Sequence, residues 1–265
     1  MPKLEKPSST TLVKVLVLGD SGTGKTGSLA SLVKAGYHLH VLDFDNKIAG
    51  GILPILIQRD CPDLVGNVDF EPLRDSLKSS PMGPVFNGTP SAFVRAVSLL
   101  DKWSDGSIPS EWGPEHVLVV DSLTFLGDAA FNWAKSMNPT TKEQRQWYGN
   151  AQKVVEPMIA QLTSASFKAN VVVIAHVDYQ SRSDGTMKGF PASIGVALNP
   201  VIPAYFENMV LCHIASGKRI IQTIPTALVD LKNPAAFKMA STLPVETGLA
   251  GFFETLKGGG THAKA

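Results

Sequence analysis

The chain contains few cysteines, few aromatic residues and almost no excess of charge of one sign. Its two cysteines among 265 residues, Cys61 and Cys212, show no metal-ligand spacing, and two isolated thiols are typical of a reducing cytoplasm. A net charge of +1 disfavours binding to nucleic acid through a broadly basic surface. Any such contact must therefore come from a local patch or from several subunits together.

The sequence also lacks long apolar runs. No segment approaches the roughly 20 apolar residues that cross a bilayer, and the polar segment Met1–Thr11 lacks the apolar core of a signal peptide. We therefore expect a cytoplasmic protein with no membrane partner. Hydrophobic residues make up 44% of the chain and charged residues 18%, a balance that predicts an extensive folded core.

Strand-like and helix-like segments alternate along the chain, which predicts an α/β fold with a mostly parallel sheet flanked by helices. We predict one domain over residues 13–257, between a flexible segment 1–12 and a flexible glycine-rich tail 258–265. The predicted strands are Val13–Leu18, Leu39–Leu42, Val117–Val120, Val171–Ala175, Asn208–Ile214 and Arg219–Thr223, the last two as an antiparallel hairpin. The predicted helices are Thr26–Val33, Lys47–Ile57, Ser91–Trp103, Phe125–Lys135 and Lys142–Phe167.

The first predicted strand runs directly into the pattern G-x-x-x-x-G-K-T, which is typical of a phosphate-binding P-loop. Glycines let the backbone wrap around phosphate oxygens, Lys25 can reach the β- and γ-phosphates, and the Thr26 hydroxyl can ligate Mg²⁺. The following helix points its positive end at the same phosphates. The predicted nucleotide-binding residues here are Gly19, Asp20, Ser21, Gly22, Thr23, Gly24, Lys25, Thr26 and Gly27.

A second nucleotide signal is the aliphatic strand that ends in Asp121. A buried strand that delivers a carboxylate at its tip is the Walker B arrangement, in which Asp121 holds Mg²⁺ while Thr26 binds it directly. The alternative role for such an aspartate is the cap of the next helix. Many ATP-driven motors carry a catalytic glutamate at the next position, where this chain has Ser122, so a water-activating carboxylate must come from elsewhere.

The best source of that carboxylate is the end of the second strand, which reads Asp43-Phe44-Asp45. We expect this strand to lie close to the P-loop strand, with Asp43 and Asp45 on one side and Phe44 on the other. Asp45 is the candidate catalytic base. In the alternative interpretation, Asp45 or Asn46 caps the helix that follows.

A third strand ends in His176, before the long polar segment 178–199. A polar side chain at this tip can sense the γ-phosphate and move the loop that follows, although a lone histidine is often only structural. The aromatic residues Trp133, Trp147 and Tyr148 either pack in the core or stack on bases. For Trp133 packing is the favoured role, and for the other two both roles stay open.

In order, the motifs GDSGTGKT, LDFD, VLVVDSLT and VVVIAH resemble the core of RecA-type recombinases over residues 13–238. The chain is more similar still to short phage-encoded ATPases of this class, which lack the C-terminal DNA-binding domain. That resemblance implies binding and hydrolysis of ATP with Mg²⁺, and annealing or pairing of single-stranded DNA with help from a single-strand-binding protein. It also implies a homo-oligomer, as a ring or a filament, in the host cytoplasm.

Residue by residue, the resemblance makes Asp121 the Walker B acid, Asp45 the water activator and His176 the γ-phosphate switch, beside Lys25 and Thr26. The segment 178–193 resembles a mobile DNA-binding loop that carries Arg182 and Lys188. The segment 230–238 resembles the one whose lysines reach the ATP of a neighbouring subunit, with Lys232 as first candidate and Lys238 as second.

The sequence departs from the RecA pattern at two site positions, because the family has glutamate at Asp45 and glutamine at His176. The RecA N-terminal helix is also missing or reduced to residues 1–12. These departures put fast hydrolysis and a stable filament in doubt.

Three other functions remain open. The first is a GTPase-like switch, because the opening strand and P-loop resemble those of small GTPases. Against it, Asn46-Lys47-Ile48-Ala49 lacks the aspartate of the guanine-reading motif. A non-catalytic ATP-binding assembly protein is the second, and a helicase motor, which shares this core, is the third.

Overall fold

The computed structural model describes residues 11–140, 143–182 and 184–259. Most of the predicted flexible ends, residues 1–10 and 260–265, and the predicted helix start Lys142 lie outside these ranges. The strands are β1 (Lys14–Leu18), β2 (His38–Asp43), β3 (Val68–Pro72), β4 (Leu77–Lys78), β5 (Val85–Phe86), β6 (Gly113–Asp121), β7 (Ala169–Ala175), β8 (Val177–Ser181), β9 (Met187–Pro191), β10 (Asn208–Ala215), β11 (Lys218–Gln222) and β12 (Thr242–Pro244). The helices are α1 (Lys25–Lys34), α2 (Ile52–Asp60), α3 (Ala92–Asp101), α4 (Leu123–Met137), α5 (Gln144–Thr163), α6 (Gly195–Leu198) and α7 (Val245–Leu256).

Eight strands form one sheet in the order β12-β11-β10-β1-β7-β6-β2-β3. The six strands from β10 to β3 run parallel, and β11 and β12 continue the sheet antiparallel. The carboxyl ends of the parallel strands therefore lie at one edge, where ligands bind in sheets of this kind. The α/β fold class predicted from the sequence is confirmed, including the antiparallel hairpin near the C-terminus.

The core consists of two apolar layers, one on each face of the sheet, because side chains alternate between faces along a strand. Leu16 and Leu18 of β1 pack in the layer covered by α3, α4 and α5. Val15 and Val17 pack in the opposite layer, which α1, α2 and α7 cover. All four are fully buried. Burial on both faces fixes the register of β1 and holds the P-loop that follows it.

Several local predictions differ from the structure. Strand β2 is separated from β1 by β7 and β6, so it does not lie next to the P-loop strand. The helix predicted to start at Lys47 begins at Ile52, and residues 61–89, which show no sequence pattern, supply edge strand β3 and the β4–β5 pair. Within the described ranges, no helix is both long and apolar enough to cross a bilayer.

Candidate nucleotide-binding site

The P-loop connects β1 to α1 and has a backbone that glycines alone can adopt. Gly19, Gly22 and Gly24 have φ angles of 154°, 79° and 99°, in the region that side chains disfavour. A Cβ atom on Gly19 would lie 2.4 Å from the carbonyl oxygen of Cys212 in β10. Among the described residues, no side chain caps the first turn of α1, so its leading N–H groups are available to an anion.

Lys25 places its ammonium inside the curve of the loop. Its Nζ donates hydrogen bonds to the carbonyl oxygens of Gly19, at 2.7 Å, and Asp20, at 2.8 Å. Burial lowers the pKa of this lysine. Phosphate oxygens can replace the two carbonyls as acceptors, and a charged acceptor makes the stronger hydrogen bond.

Thr26 and Asp121 meet where the P-loop helix faces the tip of β6. The Thr26 hydroxyl donates to Oδ2 of Asp121 at 2.8 Å, and Asp121 is only 3% exposed. Burial, and then the neighbouring charge of Asp45, raise the pKa of Asp121 to about 7. A buried carboxylate beside a hydroxyl is the oxygen donor set that suits Mg²⁺, and the cation would favour the ionised carboxylate.

Magnesium rarely needs a cage made of protein alone. In the described part of the chain, no group of three or more His, Cys, Asp and Glu side chains is arranged to hold a metal ion. One carboxylate and one hydroxyl, completed by phosphate oxygens and water, are what Mg²⁺ typically uses in nucleotide sites. The residues present therefore fit a Mg²⁺–nucleotide complex, with Thr26 and Asp121 as the protein ligands.

Asp45 reaches the same site through contacts with β6 and its end. The Ser122 hydroxyl donates to Oδ1 of Asp45 at 2.8 Å. The backbone N–H groups of Phe44 and Asp45 donate to the carbonyl oxygen of Asp121, at 2.8 and 3.2 Å. Because Asp121 lies opposite Asp43 in the β2–β6 pair, the segment after β2 is held beside Asp121.

Asp43 has a structural role that the sequence did not indicate. Its carboxylate accepts hydrogen bonds from the backbone N–H groups of Lys47, at 3.1 Å, and Ile48, at 2.9 Å. These bonds close the turn after β2, and Asp43 is fully buried. Helix α2 begins only at Ile52, with Gly51 before it and, among the described residues, no side-chain cap, so neither Asp45 nor Asn46 has the capping role considered for it.

These groups line one cavity of about 590 Å³ at the carboxyl edge of the sheet. Its polar end contains P-loop residues, Asp45, Asp121, Ser122 and His176, and its other end is formed by α2 and the start of α7. Of the predicted P-loop ligands, those that line the cavity are Ser21, Gly22, Gly24, Lys25, Thr26 and Gly27. Thr23 points away, and its hydroxyl donates to the carbonyl oxygen of Asp20 at 2.8 Å.

His176 follows β7 directly and is half-buried at the cavity wall. Burial, and then the charge of Lys25, lower the pKa of this imidazole. Its backbone N–H donates to the Thr124 hydroxyl of α4 at 3.2 Å, which fixes the strand tip. A neutral histidine here can donate or accept one hydrogen bond at the phosphates, according to its tautomer.

The segment after His176 is a hairpin rather than the irregular loop expected from its polar sequence. Strands β8 and β9 pair from Val177 with Pro191 to Ser181 with Met187. Arg182, which directly follows β8, is exposed, and Ser183 lies outside the described residues.

Lys188 on this hairpin forms an ion pair with Oδ1 of Asp230, and its side chain is only 12% exposed. The pair balances the charge of Lys188 within the chain. Of the two predicted DNA contacts, only Arg182 is therefore presented to solvent without an ionic partner among the described residues.

Lys232, the first candidate to reach a neighbouring subunit, is engaged within its own chain. Its Nζ donates to the carbonyl oxygens of Pro203, at 2.8 Å, and Phe206, at 2.9 Å. Lys238, the second candidate, is exposed and lies 5.4 Å from the ring centre of Phe237, which is itself 81% exposed.

The aromatic residues considered for base stacking all contact other aromatic rings. Trp133 packs against Phe93, with ring centres 5.4 Å apart, as the core interpretation predicts. Tyr148 lies 4.6 Å from the ring of Phe131, and Trp147 lies 6.2 Å from that same ring. These contacts favour packing over base stacking at the start of α5.

Two residues near the P-loop lie outside the motifs that the sequence shows. Arg219, at the start of β11, lines the cavity and donates from Nε to the carbonyl oxygen of Gly22 at 2.8 Å. Tyr179, on β8, is exposed, and its pKa is raised by partial burial and by the charge of Asp20 in the P-loop. Neither residue belongs to a recognisable motif, and each approaches a P-loop residue that lies far away in the chain.

A P-loop on a mostly parallel sheet, with a strand-tip aspartate bonded to its threonine, defines a P-loop ATPase domain. The model of the AAA domain family matches residues 11–235, and the chain belongs to this family. A comparison with curated protein sequences found no match.

Two solved structures illustrate what the fold is similar to. The RadB recombinase is 15% identical with a TM-score of 0.45, over 85% of this chain and 92% of that one. A prototypical ATPase from the type III secretion system of pathogenic bacteria is 10% identical with a TM-score of 0.39, over 76% of this chain and 52% of that one.

Proposed function

We propose that the protein hydrolyses Mg-ATP to control its binding to single-stranded DNA, as a recombinase or annealing protein of the phage type. The observation that carries the ATPase part is the pair of contacts at the tip of β6. One joins Thr26 to Asp121 at 2.8 Å, and the other joins Ser122 to Asp45 at 2.8 Å. They support the proposal because they bring together a hydroxyl and two carboxylates, and the charges of Asp121 and Asp45 act on the ammonium of Lys25.

The chemistry assigned to this chain is phosphoryl transfer to water. Mg²⁺ held by Thr26 and Asp121 would supply charge neutralisation at the phosphates, and Lys25 with the first N–H groups of α1 stabilises the charge that develops on them. Asp45 accepts the proton of the attacking water, and the Ser122 hydroxyl orients the Asp45 carboxylate. His176 contacts the γ-phosphate side of the cavity and connects it to β8.

The DNA part of the proposal rests on the β8–β9 hairpin. The hairpin begins one residue after His176, so a shift at the phosphates acts directly on its base. It presents Arg182, which suits a DNA phosphate, and the half-exposed Tyr179, which suits stacking on a base. Lys188 is not part of this proposal, because Asp230 neutralises it.

We further propose that the active form is a homo-oligomer in which Lys238 completes the ATP site of a neighbouring subunit. A cation supplied across an interface makes hydrolysis depend on assembly, as an arginine finger does. Lys238 takes this role in place of Lys232, since the ammonium of Lys232 is held by two carbonyl oxygens of its own chain. The exposed Phe237 beside it fits an apolar contact at such an interface.

The DNA proposal is tested by fluorescence anisotropy with a labelled oligo-dT strand, with and without Mg-ATP, at two salt concentrations. We expect Arg182→Ala and Tyr179→Ala each to weaken binding by roughly tenfold, with a smaller salt dependence only for Arg182→Ala. Lys78→Ala removes an exposed cation from β4 and serves as the matched control. Equal affinity of all four proteins for the strand would refute the role of the hairpin.

A further inference from the structure

Arg219 stands at the mouth of the nucleotide cavity because of the turn that precedes it. Residues Ser216 and Gly217, with φ angles of 50° and 75°, make the tight connection between β10 and β11. In that hairpin Arg219 pairs with Ile214, near the carboxyl end of β10. This end lies at the same edge of the sheet as the P-loop, so the register of the hairpin delivers an arginine there.

The side chain of Arg219 lies against the P-loop at Gly22. Its Nε donates to the carbonyl oxygen of Gly22 at 2.8 Å. A Cβ atom on Gly24 would lie 3.1 Å from the Cδ of Arg219 and 3.1 Å from a methyl group of Val245. Gly24 therefore has to be glycine partly so that the arginine can lie against the loop.

Among the described residues, this guanidinium makes one hydrogen bond, to Gly22. A guanidinium has five N–H donors in a planar fork, and the contact with Gly22 uses the one on Nε. Within the described ranges, no carboxylate lies close enough to form an ion pair with Arg219. The other arginine in the cavity wall, Arg59, is instead held by both carboxylate oxygens of Asp60, at 2.6 and 2.8 Å.

We propose that Arg219 binds the phosphates of the nucleotide from within the same subunit. The terminal nitrogens of the fork suit two phosphate oxygens, while the Nε bond to Gly22 holds the guanidinium in place beforehand. Arg219 thus acts with Lys25, from the opposite side of the loop. The proposal rests on the ATPase function argued above, and it adds a cation that no sequence motif contains.

The test is the affinity of the wild type and four variants for ATP, ADP and adenosine, measured by calorimetry with Mg²⁺ present. We expect Arg219→Ala to weaken ATP and ADP about tenfold and to leave adenosine unchanged, since adenosine carries no phosphate. Arg219→Gln keeps a donor for Gly22 but lacks the charge, and we expect the same loss. Lys218→Ala, the neighbouring exposed cation outside the cavity, is the matched control and should bind like the wild type.

Three results would overturn the proposal. The first is an ATP affinity of Arg219→Ala within about twofold of that of the wild type. The second is a loss of adenosine affinity equal to the loss of ATP affinity, which would show that phosphate is not the ligand. If Arg219→Gln binds ATP like the wild type and only Arg219→Ala has a lowered melting temperature, the arginine serves only to stabilise the loop. Lys25→Ala separates the two proposals, because ATP binding that survives this change would instead refute the ATP site itself.

Discussion

Thr26 and Asp121 are 95 positions apart in the chain, and a 2.8 Å hydrogen bond joins the threonine hydroxyl to the aspartate carboxylate. The two residues come from elements that are not neighbours, because β7 separates β1 from β6 in the sheet. Helix α1 bridges this gap by starting at the carboxyl edge, above both strands. The fold therefore brings into direct contact the two residues that we propose as Mg²⁺ ligands.

Replacing Lys25 with alanine should abolish ATP hydrolysis while leaving the fold intact. The ammonium contacts only loop carbonyls of Gly19 and Asp20 in the described part of the chain, so its loss removes phosphate contacts without exposing the core. We expect turnover to fall by about 100-fold or more. Lys34→Ala, at the exposed end of the same helix, is the control and should keep wild-type turnover.

Asp45 and Asp43 should respond differently to conversion to asparagine. Asp45→Asn should lower ATP turnover by roughly 100-fold and leave the ATP dissociation constant nearly unchanged, because it removes the proton acceptor. Asp43→Asn should mainly lower the melting temperature, because it weakens the bonds to Lys47 and Ile48. Undiminished hydrolysis by Asp45→Asn would instead favour a different base.

If the wild type binds ATP without turnover, the protein would be the non-catalytic ATP-binding assembly protein. Single-turnover measurement of phosphate release would distinguish this case from slow hydrolysis.

Gly19→Ala should damage both stability and nucleotide binding. Its Cβ would lie 2.4 Å from the carbonyl oxygen of Cys212, so the loop or β10 must move, and its φ of 154° adds strain. We expect a loss of about 1–3 kcal/mol in the free energy of unfolding, measured in urea. Gly50→Ala, where a Cβ would contact nothing within 4 Å, is the control and should be neutral.

The contribution of His40 to the free energy of unfolding should fall on acidification, while that of Asp121, whose pKa is raised, changes in the opposite direction. This imidazole is buried against Trp103 and Trp112, and its Nε2 lies 2.9 Å from Nδ1 of His116. Burial, and then the charge of His116, lower the pKa of His40 from 6.5 to about 4, although Asp105 opposes this. At His40 the unfolded state therefore binds more protons than the folded one between pH 6.5 and pH 4, so the stability that this residue contributes decreases as the pH falls through that window.

The size of this effect can be measured from urea unfolding at several pH values. We expect His40 to contribute a loss of roughly 3 kcal/mol by pH 4, read as the difference in pH dependence between the wild type and His40→Gln. Asp69, whose carboxylate lies 3.7 Å from the other ring nitrogen, would moderate the loss. The same pH dependence of the free energy of unfolding in both proteins would rule out this contribution of His40.

The sequence predicted the parallel core well because aliphatic strands buried on both faces carry a strong signal. It identified Lys25, Thr26, Asp121, Asp45 and His176, all of which line one cavity, because each stands at a strand tip or in the P-loop. It could not predict the β8–β9 hairpin, whose two short strands contain few aliphatic residues and lie outside the main sheet.

The sequence also could not show that Asp43 rather than Asp45 closes the turn, because the two carboxylates differ only in local geometry. The ionic partner of Lys188 and the carbonyl partners of Lys232 lie far away in the chain. Arg219 reaches the P-loop only through the β10–β11 register. Contacts of these kinds follow from tertiary packing, which local sequence patterns do not indicate.

We propose that Mg-ATP hydrolysis at this site is coupled to the binding of single-stranded DNA. The most direct test is the steady-state rate of phosphate release, measured with and without saturating oligo-dT for the wild type and for Lys25→Ala. We expect Mg²⁺-dependent phosphate release that is faster with DNA and that is absent in Lys25→Ala. A rate that is the same with and without DNA, or that survives in Lys25→Ala, would contradict it.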